Sequence, residues 1–219
     1  MAPIIKMSRF EICCCVTNIA AALWGYFYPR PYVFCITVLI SLPWLSILAA
    51  RLIRSSNPIA YTVLGPITAL VACAYDFEFS AVGRLVAFSC AVGAAFVAVV
   101  FLADRSAWRR YGLSLVIGPL FYGFGATGEL NVLLDASATK RFGVPILGRD
   151  YHISRHSTFE VVLAPWGEMS RSSKNSVSWS TYLALRDQAV ACIDLGRGAL
   201  GVRWLMISAC EGSTTRREP

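Results

Sequence analysis

The first 135 residues of this chain are dominated by long apolar runs, each closed by charged or aromatic residues. A run of roughly 20 apolar residues, rising about 1.5 Å per residue in a helix, matches a hydrocarbon core about 30 Å thick. Spans are expected near residues 12–28, 32–50, 59–75, 85–103 and 113–134. Pro29-Arg30-Pro31 and Ser55-Ser56-Asn57-Pro58 read as turns between them, because proline disfavours helix in the residue before it. Composition agrees with this reading: 56% of residues are hydrophobic and 15% charged, against roughly 25% charged in a typical globular domain. The charge deficit is confined to the stretch before Ala136, which sets the expected domains at 1–135 and 136–219.

The formal charge of +7 does not point to nucleic acid. Lys6, Arg9, Arg51, Arg54, Arg105, Arg109 and Arg110 flank one end of the expected spans, whereas the opposite loops hold only Arg30 and Arg84. Such asymmetry predicts a cytoplasmic N-terminus and, after five crossings, a tail on the outer side. In the tail Lys and Arg scatter without forming a stripe. The fold expected is an α-helical integral membrane bundle of about five transmembrane helices with a small C-terminal β-rich (α+β) domain. Its expected location is the bacterial inner membrane, with the tail periplasmic.

Helices in lipid associate through small residues. Ala87, Ala91 and Ala95 form such a stripe, and Gly118, Gly123, Gly125 and Gly128 supply its counterpart on the next run. The two runs are expected to pack closely, or the alanine face serves a second copy or another membrane or envelope protein. The expected partners are therefore the lipid bilayer and such a protein. Glu129, Asn131 and Asp135 form the polar group nearest the expected membrane. They read either as a cap tying the last span to the tail or as a proton or cation relay.

In the tail, Phe142–Leu147 and Phe159–Leu163 read as strands, and Met169–Asn175 as a polar loop. Ser178 has the character of an N-cap for a helix through Trp179 to Arg186. Ala189–Leu195 and Val202–Ile207 read as a final strand pair. Cys192 and Cys210 are either bridged or free. A hairpin centred on Gly198 places Cys192 opposite Trp204 or Leu205, so a bridge requires the chain to fold back after Ser208. His152 and His156 are spaced for one face of a helix, but their surroundings are strand-like. With Asp150 as the one nearby carboxylate and Arg155 opposing a cation, a solvated loop is expected and no metal. Ser154 and Ser157 lack a glycine-flanked elbow and are not expected to be nucleophiles. The Cys13-Cys14-Cys15 triplet reads as apolar helix surface. Trp166, Trp179 and Trp204 read as domain core, with a ligand platform as the alternative.

The segments Asn131-Val132-Leu133-Leu134-Asp135, Leu163-Ala164-Pro165-Trp166-Gly167 and Gly198-Ala199-Leu200-Gly201, with Cys192, Trp204 and Cys210, resemble a group of uncharacterised bacterial multi-pass membrane proteins with a small C-terminal β-rich domain. The resemblance covers about the last 90 residues. This chain departs from that group at Arg186-Asp187-Gln188, where the group has a glycine-containing turn. The resemblance implies an architecture and no activity. The expected role is a non-enzymatic accessory or scaffold protein presenting a periplasmic domain. The alternative is a membrane sensor or transport-associated protein using Glu129. No catalytic residue, cofactor or metal is expected.

Overall fold

The computed structural model describes residues 9–27, 33–53, 63–74, 76–103, 105, 109, 112–152, 158–167 and 169–210. The turns expected at Pro29-Arg30-Pro31 and Ser55–Pro58 lie outside the described residues, as do Ser154, Arg155, His156 and Ser157. The chain forms two compact units: Met1–Ala74 with Val82–Leu133, and Tyr75–Ala81 with Leu134–Pro219.

The first unit contains α1 (Arg9–Phe27), α2 (Val33–Leu52), α3 (Leu64–Ala74), α4 (Val82–Ala103) and α5 (Ser114–Leu133). Among the described residues two helices are long and apolar enough to cross a bilayer, Val33–Leu52 and Val82–Ala103. This corrects the five-span expectation. Arg9 and Glu11 lie in the first turn of α1. The described part of the third run is an 11-residue helix, which rises about 16 Å. In α5, Pro119, Glu129 and Asn131 interrupt the apolar run. Hydropathy along the sequence reports composition; it does not fix which side of a helix faces protein.

With the spans go the conclusions that rested on them: the multi-pass bundle, the bilayer as partner, the inner-membrane location and the periplasmic tail. The accessory or scaffold role and the Glu129 sensor or transport role were framed on that topology and fall with it.

The core of the first unit is built from Ile36, Leu39, Ile47, Leu70, Phe96, Val100 and Tyr122. The Trp44 indole donates to the Tyr122 hydroxyl at 2.6 Å, and that hydroxyl donates to the Ile40 carbonyl at 2.6 Å, so the polar atoms of both rings are satisfied. Helices α4 and α5 approach until backbone meets backbone. A Cβ added to Gly93 would lie 2.8 Å from the Pro119 carbonyl oxygen, and one on Gly123 would run into the Ser89 carbonyl oxygen. The packed stripe of α4 is Leu85, Ser89, Gly93, Phe96 and Val100. Ala87, Ala91 and Ala95 lie on its exposed side, so they are not the contact face expected. Large apolar residues also face outward, among them Phe34, Leu52 and Leu102.

The second unit is a six-stranded antiparallel sheet ordered β1-β6-β5-β2-β3-β4. Its strands are β1 (Phe77–Phe79), β2 (Lys140–His152), β3 (Thr158–Leu163), β4 (Ser173–Val177), β5 (Val190–Gly196) and β6 (Trp204–Ala209), with helix α6 (Trp179–Leu185) between β4 and β5. The sheet is therefore not a purely C-terminal module, since β1 comes from the segment between α3 and α4. The chain is α+β, a helical unit and a sheet unit, rather than a membrane bundle with a small appended domain.

Strand β2 changes partner along its length. Residues 140–145 pair with β5 and residues 146–152 with β3, with a register irregularity between Ile146 and Gly148. A bulge bends a strand and increases its twist, and Gly148 tolerates the bend. The stretch expected to be a polar loop becomes strand at Ser173, where β4 pairs along β3. Tertiary pairing overrides the weak strand propensity of Ser, Lys and Asn there. Val144, Val161, Leu163, Leu185, Ala191, Ile193 and Ile207 make the core. Ser178 caps α6 by accepting from the Thr181 N–H at 3.3 Å. At the other end of α6, the Arg149 guanidinium donates to the Leu185 carbonyl at 2.9 Å and also to that of Gln188. A cation suits the negative end of a helix.

Candidate binding surface

The polar residues singled out in the sequence divide between the two units. Glu129 and Asn131 are fully buried in α5, within the helical unit. Glu129 therefore does not sit at an outer interface. Asp135 belongs to the sheet unit, where it organises the β5–β6 connection. Its Oδ2 accepts from the Gly198 N–H at 2.7 Å and the Trp204 indole at 2.9 Å, and its Oδ1 accepts from the Ser137 N–H at 2.9 Å. Gly198 and Gly201 have φ of 74° and 68°, a left-handed conformation that glycine adopts at little cost. Burial pushes the Asp135 carboxyl up, but the hydrogen bonds from Ser137, Gly198 and Trp204 outweigh it and hold the pKa at about 2.

Cys192 and Cys210 are joined in a disulfide with Cα atoms 5.0 Å apart. The hairpin is centred two residues later than Gly198, so Cys192 pairs with Ser208 and Gly196 with Trp204. No folding back is needed, because Cys210 directly follows the strand. The Arg141–Asp194 pair locks the neighbouring register through two parallel contacts of 2.7 and 2.8 Å.

His152 ends β2 opposite Thr158, in strand rather than helix. Among the described residues no group of three His, Cys, Asp or Glu could hold a metal ion. Cys13 is exposed, Cys14 buried and Cys15 intermediate, so the triplet does not converge on one point. The three tail tryptophans also separate. Trp204 is buried against Phe77 with centroids 5.7 Å apart, and Trp166 lies against Phe142 at 5.4 Å. Trp179 is 52% exposed.

Around Trp179 the sheet unit presents a surface that sequence reasoning missed. Tyr151 and Phe159 are cross-strand partners with near-parallel rings 6.4 Å apart. Phe159 lies 4.8 Å from Trp179 and 5.4 Å from Tyr182, measured between ring centroids. Trp179 and Tyr182 stack at 6.2 Å, one helical turn apart on α6. The cluster is open to solvent: Tyr151 is 54% exposed, and Leu183 beside it on α6 is 44% exposed. Its sequence signal was available, in the aromatic residues flanking the β2–β3 connection and the i, i+3 aromatic pair after an N-cap.

A shallow groove, open to solvent, borders this patch. It is lined by Asp76 and Glu78 around β1, by Leu205 and Ile207 of β6, and by Ser176, Val177, Ser178 and Thr181 at the end of β4 and start of α6. Strands β1 and β4 are opposite ends of the strand order, so the sheet curls until its two ends flank one depression. Loss of water around the Glu78 carboxyl raises its pKa, although the residue keeps an exposed side.

No family model, curated protein or solved structure matches this chain. The resemblance to multi-pass bacterial proteins is not sustained, because no match supports it and two helices among the described residues are long and apolar enough to cross a bilayer.

Proposed function

We propose that this chain is a non-enzymatic binding protein whose sheet unit makes the contact, through the aromatic patch of Tyr151, Phe159, Trp179 and Tyr182. One observation carries the reading: four rings packed on each other leave Trp179 and Tyr151 more than half exposed. Isolated exposed apolar residues are ordinary, whereas a contiguous aromatic patch marks a contact surface. Tryptophan and tyrosine contribute large contact area at low conformational cost and dominate binding hot spots. The rings are held by a strand pair on one side and a capped helix on the other, so little ordering is lost on contact. The patch offers apolar area and stacking.

The test is site-specific photo-cross-linking of the full chain in its own cells, with the photoreactive residue at Leu183 and, as a control, at Leu147, which is also exposed. A defined adduct from position 183, absent from position 147 and lost on Trp179→Ala with unchanged circular dichroism, supports the patch. Adducts that are the same from both positions, or indifferent to Trp179→Ala, refute it.

A further inference from the structure

We draw no further inference here: the strongest candidate, the outward apolar face of the helical unit that carries Phe34, Leu52 and Leu102, is a surface for which nothing in the structure shows what covers it.

Discussion

Replacing Asp135 with asparagine should destabilise the sheet unit by about 1–2 kcal/mol at neutral pH, and the difference should vanish in acid. The carboxylate accepts three hydrogen bonds, from Ser137, Gly198 and Trp204, and the glycine and tryptophan both bond to Oδ2. Asparagine keeps one acceptor oxygen and loses the charge. The size of the effect follows from the depressed pKa. A fall from 3.8 to about 2 corresponds to about 2.4 kcal/mol at about 1.4 kcal/mol per pH unit. Asp135 is half-buried, so solvent screening reduces this to about 1–2 kcal/mol. A carboxyl whose folded pKa lies below its unfolded one stabilises the fold above the unfolded value. That contribution is complete above about pH 4 and is lost as pH falls toward 2. Urea unfolding followed by tryptophan fluorescence, for both proteins at pH 7, 4, 3 and 2, measures it. A difference that stays constant across that range, or is under about 0.5 kcal/mol at pH 7, refutes the Asp135 turn as a stabilising centre.

Replacing both Cys192 and Cys210 with serine should cost about 3 kcal/mol, since the bridge closes a loop of 18 residues. Wild type in reductant should then unfold at the same urea concentration as the double variant, and equal stability of the oxidised and reduced wild type would contradict this. Gly123→Ala should destabilise the helical unit by about 1–3 kcal/mol, because the added methyl meets the Ser89 carbonyl oxygen and the Gly93 nitrogen at 3.1 Å, backbone atoms that cannot swing aside. Thermal unfolding by circular dichroism reads it, with Gly83→Ala as the control, since a Cβ there meets nothing within 4 Å.

Local chemistry was legible in the amino-acid order. The N-cap at Ser178 and the glycines of the β5–β6 connection could be named from their neighbours, because capping and positive φ depend on a few adjacent residues. Apolar runs showed where helices would form and, for four of them, their approximate bounds, but not their packed faces. The α4–α5 contact uses Gly93 and Gly123 with Ser89 rather than the alanine stripe, a choice made by the partner helix's shape. Pairing of distant strands was beyond local reading as well. Phe77–Phe79 lies inside an apolar stretch and becomes a sheet edge only by pairing with Trp204–Met206. Strand β4 is polar and is strand only because β3 pairs with it. The groove brings Asp76 and Glu78 beside Ser176 across about 100 positions of sequence. Such contacts are set by register and twist, which belong to the assembled sheet rather than to any segment of it.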